Sequence, residues 1–376
     1  MTLPIIYVFE LATYGFAALM IHHAWCKTRA ITARDTRAAI DESDLPSEII
    51  ECDTGEAIKK SDLPNRARWL ATLLWGIVFG LVIEWLLVTY NDYRYGEHLI
   101  SFPNLLEPSR PVPLWIGVGW GLVLYSTTWT AQRLKLPAFP RAVFAGLLAL
   151  TIDFALDPIA ARYDLWYWPE FDEYGAAYGY AEGEGFTYAR FFGVPYDNFI
   201  CWFLIVSTYT GFVRAAFRLF DKHEIKAKWK ISDPWAAALL PPVGAAISIG
   251  VVFWIDTKLP GLYTVLRADQ PVFLVLLFIA CVIVACFLTR PERDLEISWP
   301  VVAVPIAYNA LSYLVLVAHD AHMNAFSPLL LGIPLNLIIA VFAFNLVSVS
   351  KLVPRRSPAR LSNPGEAGPS PSSVLA

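Results

Sequence analysis

"WLATLLWGIVFGLVIEWLLVTY", residues 69–90, decides the fold: it holds one charged residue, Glu84, in an otherwise apolar run. A helix needs about 20 mostly apolar residues to cross the hydrocarbon of a bilayer. Inside that layer every backbone N–H and C=O must be satisfied within the protein, and a helix does so segment by segment. The stretch is therefore read as a membrane-spanning helix, and Glu84 as a carboxyl placed at depth.

Working outward, the same measure finds eight further runs, near residues 3–25, 112–131, 141–161, 194–219, 235–255, 271–289, 299–318 and 328–349. The expected fold class is all-α, a polytopic transmembrane helical bundle of about nine spans. Composition agrees: 56% of the 376 residues are hydrophobic and 16% charged, outside the range of soluble globular chains. Pro241, Pro242, Pro305 and Pro334 fall inside later runs, where neighbouring helices can satisfy the backbone groups they free. They predict kinks rather than breaks. A net charge of −4 gives no reason to expect a nucleic-acid partner.

The N-terminal run has no basic residue before Lys27, so it lacks the charged start of a secretory signal and reads as an uncleaved first helix. Cys26, Cys52, Cys201, Cys281 and Cys286 form no C-x-x-C pair, and three lie in apolar runs. They read as small apolar fillers, not as a disulfide framework or zinc site. The segments 26–68, 132–141, 214–233, 290–298 and 350–376 carry 23 of the 29 Lys and Arg residues. The positive-inside rule then puts the N-terminus outside and the C-terminus in the cytoplasm. The expected location is integral and multi-pass, in the cell (plasma) membrane. Residues 1–67 are read as a first membrane helix and cytoplasmic linker, 68–220 as a membrane core, 221–350 as four additional membrane helices, and 351–376 as a Pro/Ser-rich disordered tail.

With that orientation, Glu10, Glu84, Asp153 and Asp157 all fall in the outer halves of their helices, and Asp197 and Asn198 open the fifth. An ionisable group at depth is costly unless paired or hydrated, which makes it a functional candidate by default. Asp153 and Asp157 share a helix face through their i, i+4 spacing. The aromatics around them include Trp85, Tyr93, Tyr95, Trp166, Trp168, Tyr196 and Trp202. Two bland readings compete: Trp and Tyr collect at membrane interfaces as anchors, and "LDP" can simply shape a helix end. Glu10 has no motif around it and is expected to be structural or supporting. His22 and His23, and the group His319, Asp320 and His322, lack a third ligand at metal-binding spacing and are expected at the interface. Tyr308 and Asn309 are expected to bond to neighbouring helices.

"GLVIEWL", "VPLWIGVGW", "DFALDPIAARYDLWYW" and "FFGVPYDNFICW", in that order, resemble the motifs of the carotenoid 1,2-hydratase family over roughly residues 68–220. Its members include the γ-carotene 1′,2′-hydratases and bisanhydrobacterioruberin hydratases, the CruF type. The most specific pieces are D-x-x-L-D-P with its following W-x-W, and G-V-P-x-x-N-F-x-x-W. Cys201 stands where the family pattern has a glycine, and an acidic, aromatic insert at 169–190 lengthens the loop before Gly193.

The resemblance implies a hydro-lyase of carotenoid biosynthesis that adds water across the terminal C-1,2 double bond of an acyclic end group. It needs neither a metal nor an organic cofactor. Protonating such an alkene gives a tertiary carbocation, so the site needs a neutral acid. A carboxyl in low-dielectric surroundings keeps its proton near neutrality, and a second carboxyl beside it separates the two ionisations. Aromatic faces and a carboxylate stabilise the cation without quenching it. Asp153 or Glu84 is the expected acid, Asp157 the base or water holder, and Asn198 the group that orients water or a carboxyl. The expected partners are an acyclic or monocyclic carotenoid, membrane lipid and other enzymes of the same pathway.

Two other classes compete. Intramembrane carboxylates also serve proton relays, so a transporter or lipid-binding protein fits the charges, but no internal repeat is evident. A UbiA-type prenyltransferase fits "DFALD" but needs aspartates for Mg²⁺ where "NDYRYGEH" has Tyr95, and basic groups for diphosphate.

Overall fold

The computed structural model describes residues 5–41, 66–90, 94–132, 136–167, 186–187, 190–191, 194–221, 233–256, 258 and 299–320. Long helices dominate them: α1 (Ile5–Asp41), α2 (Arg66–Tyr90), α3 (Leu114–Gln132), α4 (Ala138–Arg162), α5 (Tyr196–Asp221), α6 (Asp233–Asp256) and α7 (Trp299–Asp320). Each overlaps an apolar run expected from the sequence. The runs at 271–289 and 328–349 and the tail at 351–376 lie outside the described residues. Helices α6 and α7 continue through Pro241, Pro242 and Pro305.

Five helices hold segments long and apolar enough to cross a membrane: Ile5–Ala24, Arg68–Thr89, Ala138–Ala161, Asn198–Phe220 and Ala238–Ile255. Helix α3 is not among them, and its position explains why. It packs against α1, α2, α4, α5 and α7, and 15 of its 19 residues are buried. A helix facing protein on every side has no lipid to match, so it tolerates glycines, indoles and hydroxyls. Thr127 Oγ1 donates to Val123 O at 2.7 Å, and Thr128 Oγ1 pairs with Thr210 Oγ1 of α5 at 2.9 Å.

Small residues set the α2–α3 contact. Gly76 and Gly80 on α2 face Gly117 and Gly121 on α3, each pair spaced G-x-x-x-G. A Cβ on Gly80 would lie 2.3 Å from Trp120 Cβ, and one on Gly121 2.4 Å from Ile77 Cγ1. The backbones approach closely because no side chain stands between them.

Helix α1 departs from expectation at its far end. The apolar segment stops at Ala24, yet the helix runs to Asp41, into the stretch read as linker. Residues 25–41 contain no Gly or Pro and four alanines, so nothing in them stops a helix.

The bundle also carries short β ladders that an all-α reading did not foresee. Strands β1 (Arg94–Tyr95) and β4 (Trp166–Tyr167) pair antiparallel, with Tyr95 opposite Trp166. Strand β2 (Ser101–Phe102) pairs with β3 (Val112–Pro113), and β5 (Phe186–Thr187), β6 (Arg190–Phe191) and β7 (Val194–Pro195) form a third ladder. All are two residues long, too short to show a period of two in sequence. They join the loops at the end of the bundle where α2 and α4 finish and α3 and α5 begin.

Candidate functional site

That end of the bundle gathers the intramembrane carboxyls. Glu84 is six residues from the end of α2, and Asp153 and Asp157 lie in the second half of α4. Asn198 is in the first turn of α5, and Trp120 in the second turn of α3. Alternating helix direction brings these four to one level. Glu84 is 5% exposed, Asp153 0% and Asp157 2%.

Glu84 is held by two side-chain donors. Tyr95 Oη donates to Oε2 at 2.5 Å, and Trp120 Nε1 donates to Oε1 at 2.7 Å. The β1–β4 ladder fixes Tyr95: Gly96 N–H donates to Leu165 O at 3.0 Å, and a Cβ on Gly96 would stand 2.1 Å from Asp164 O. Asp164 takes the left-handed conformation, with φ of 54°, where α4 ends and the chain turns into β4. Asp tolerates that conformation better than bulkier residues. Trp120 is fixed by Gly80 beneath it and by Trp202 of α5, whose ring stacks on it at 4.3 Å.

The aspartates are treated differently. Asp157 Oδ2 accepts from Asn198 Nδ2, while Asp157 Oδ1 and both oxygens of Asp153 have no donor among the described residues. The two carboxyls lie against each other, within hydrogen-bonding reach. Buried carboxyl oxygens nearly always have a partner. These three, apart from the contact between the two carboxyls themselves, have no partner among the described residues. No group of three or more His, Cys, Asp or Glu among the described residues is arranged to hold a metal ion.

Of the expected substrate-lining residues, Trp166 is buried, with its ring 5.7 Å from Trp115 and 6.3 Å from Tyr95. Trp202 lies against Trp120. Tyr95 does more than line the site, since its hydroxyl is on Glu84. Trp85 turns elsewhere and stacks on Phe102 of β2 at 5.4 Å. Tyr93 and Trp168 lie outside the described residues, and for Tyr196 and Asp197 only the helical backbone is described. Trp120 was missed as a functional candidate, although it stands in "VPLWIGVGW". The one signal for it was an indole between glycines on a helix able to approach α2 closely.

The other polar candidates make contacts of their own. Glu10, fully buried on α1, accepts the N–H groups of Leu99 at 2.8 Å and Ile100 at 3.1 Å and the hydroxyl of Tyr14 at 3.0 Å. Tyr308 pairs with Thr13 Oγ1 of α1 at 2.7 Å, and Asn309 donates to Pro305 O of its own helix. His22 is exposed, while His23, at the same end of the spanning segment, is turned into the protein. It is 4% exposed, 3.0 Å from Tyr125 Oη and edge-on to Trp129, because its ring fills a gap in the aromatic cluster at the opposite end of α3. His319 and Asp320 end α7 with only their backbone described, and His322 lies outside the described residues.

The family described as carotenoid biosynthesis protein matches residues 57–267, that is 211 of the 376 residues. The matched stretch spans α2 to α6 and contains every residue of the carboxyl cluster, while α1 and α7 fall outside it. No curated protein and no solved structure matches.

Proposed function

From the premise that the chain belongs to the carotenoid biosynthesis protein family, with a role in that biosynthesis, we propose that it is a carotenoid 1,2-hydratase acting at the Glu84–Asp153–Asp157 cluster. The observation that carries the reading is the buried carboxyl pair: Asp153, with no donor on either oxygen, against Asp157, with one donor from Asn198.

Counting donors supports a division of roles. Trp120 Nε1–H can only donate, so Glu84 Oε1 accepts, and Tyr95 supplies a second donor to the same group. Glu84 is thus arranged as the fixed anion beside the developing cation. Nothing near Asp153 donates to it, so it is the group suited to carry a proton and give it up. The Asp153 proton adds to the terminal alkene, and a tertiary carbocation forms against the faces of Trp120, Trp202 and Trp166. Water held by Asp157 and Asn198 attacks that carbon. Its proton passes to the carboxylate pair, restoring Asp153. The product differs from the substrate by one water, and no redox change occurs. In the orientation expected from the positive-inside rule, the cluster belongs to the outer leaflet, where an apolar polyene would reach it laterally from lipid.

The test is expression in a bacterium engineered to make lycopene or γ-carotene, with pigments separated by chromatography and mass detection. A more polar pigment heavier by one water, absent when Asp153→Asn is expressed at equal level, is the expected result. Unchanged pigments from both host types, with the protein verified in the membrane, would overturn the hydratase reading for these substrates.

A further inference from the structure

The loop between α2 and α3 turns its apolar side chains outward. Leu99 is 50% exposed, Ile100 47%, Leu105 75% and Leu106 53%. In a water-facing loop, four such residues within eight positions would be costly. Here they are not incidental, because two buried polar side chains build the loop that presents them.

Glu10, fully buried, accepts the consecutive N–H groups of Leu99 and Ile100. Asn104, 1% exposed, does the same with its Oδ1 for Leu106 N–H at 2.9 Å and Glu107 N–H at 3.1 Å, closing an Asx turn with Leu105 at its tip. The far side is tied to the end of α2. Arg110 Nη1 donates to Val88 O at 3.0 Å, and Asn104 Nδ2 lies 3.4 Å from Thr89 Oγ1. Ile100 O accepts Leu114 N–H at the start of α3 at 2.9 Å. The apolar side chains therefore sit on a braced scaffold, with the backbone N–H groups of Leu99, Ile100 and Leu106 satisfied by buried side chains.

What covers them follows from their neighbours. The Glu10 clamp ties Leu99 and Ile100 to α1 within the candidate spanning segment Ile5–Ala24, which itself exposes Val8 and Leu11. Glu10 lies inside that spanning segment, so the loop backbone bonded to it sits at the depth of the apolar helix and not beyond its end. We propose that the Leu99–Leu106 loop is set into the bilayer leaflet bordering the carboxyl cluster, with acyl chains as its partner. An apolar substrate dissolved in that leaflet then meets the rim of the Tyr95–Glu84 site without crossing water. The proposal rests on the membrane reading of the chain and not on the hydration chemistry.

The experiment places an environment-sensitive fluorescent amino acid at Leu105, at Leu99 and, as a polar reference in the same loop, at Ser109. The full chain is reconstituted in phosphatidylcholine–phosphatidylglycerol nanodiscs. Emission at 105 and 99 should be blue-shifted, with roughly half of it lost to lipids brominated about 5–10 Å below the headgroup boundary. Position 109 should emit as in water and be quenched by aqueous iodide. Water-like emission with iodide quenching at 105 and 99 would overturn the proposal. So would a blue shift insensitive to brominated lipid, which would mean that a protein surface or a second copy of the chain covers the loop. Pigment conversion plays no part in either outcome, so failure here leaves the hydratase reading to its own test.

Discussion

The indole of Trp120 donates to Glu84 Oε1 at 2.7 Å while Tyr95 Oη donates to the other oxygen at 2.5 Å. Glu84 thus accepts from α3 on one side and from the α2–α3 loop on the other. Hydrogen bonds to a charged group contribute about 1.5–3 kcal/mol each, and about 1.4 kcal/mol is tenfold in rate. Trp120→Phe and Tyr95→Phe, which keep an aromatic face but lose the donor, should each lower pigment conversion about 10- to 100-fold. Initial rates in membranes, normalised to protein, check this. Wild-type rates in both variants would remove Glu84 from the chemistry.

Asp153 separates a catalytic role from a structural one. Neither of its oxygens has a donor, and Asp157 Oδ1 beside it has none either. An asparagine at 153 would supply an N–H₂ group facing that unpaired oxygen. Asp153→Asn should therefore abolish conversion while leaving thermal unfolding in detergent unchanged or raising it, by up to about 1 kcal/mol. A structural carboxyl would behave in the opposite way, since its loss would unpair its partners. A clear fall in the unfolding temperature would contradict the role assigned here.

Asn198 is the one donor to Asp157 among the described residues. Asn198→Leu leaves buried Asp157 with only the Asp153 carboxyl beside it, at a cost of about 1–3 kcal/mol. The variant should unfold earlier and convert less. Asp157→Asn in the same background should recover part of the stability but no activity. Thermal unfolding of the three proteins provides the comparison, and equal curves would show that the Asn198–Asp157 bond contributes nothing.

Gly80 and Gly250 make a matched pair. A Cβ at Gly80 meets Trp120 Cβ at 2.3 Å, whereas one at Gly250 meets nothing within 4 Å. Gly80→Ala must displace Trp120 from Glu84, so it should destabilise by about 1–3 kcal/mol and lower conversion. Gly250→Ala removes backbone freedom in mid-helix and should stabilise by about 0.5–1 kcal/mol. Similar unfolding temperatures for the two variants would mean that the α2–α3 contact is looser than described.

Length and hydropathy made α1, α2, α4, α5 and α6 legible, because a lipid-facing helix must be apolar nearly throughout. They also placed Glu84, Asp153 and Asp157 at one end, since alternating helices reverse depth. What stayed hidden depends on contacts distant in the chain. Trp120 in an apolar run reads as core until α2 is seen to present Gly80 and Glu84 to it. The Tyr95–Trp166 ladder is two residues long and carries no alternation. His23 resembles an interfacial residue because its partner Tyr125 lies 102 positions away. Glu10 had no motif because what it binds is backbone N–H, which any sequence supplies.

Glu10 offers the last prediction, because it connects a helix outside the family-matched stretch to the loop carrying Tyr95. Its carboxylate accepts N–H groups of Leu99 and Ile100, 89 and 90 positions away, on separate oxygens. Glutamine has one acceptor oxygen, so in Glu10→Gln one of those N–H groups meets an amide donor instead. The expected cost is about 1–3 kcal/mol, with conversion reduced because Tyr95 loses its brace. Tyr14→Phe removes only the third donor and leaves both N–H bonds intact, so it should be several-fold milder in both respects. Thermal unfolding and conversion measured together distinguish the cases. If Glu10→Gln unfolds with the wild type and converts pigment equally, α1 is only a membrane anchor and the loop is held from α2 and α3 alone.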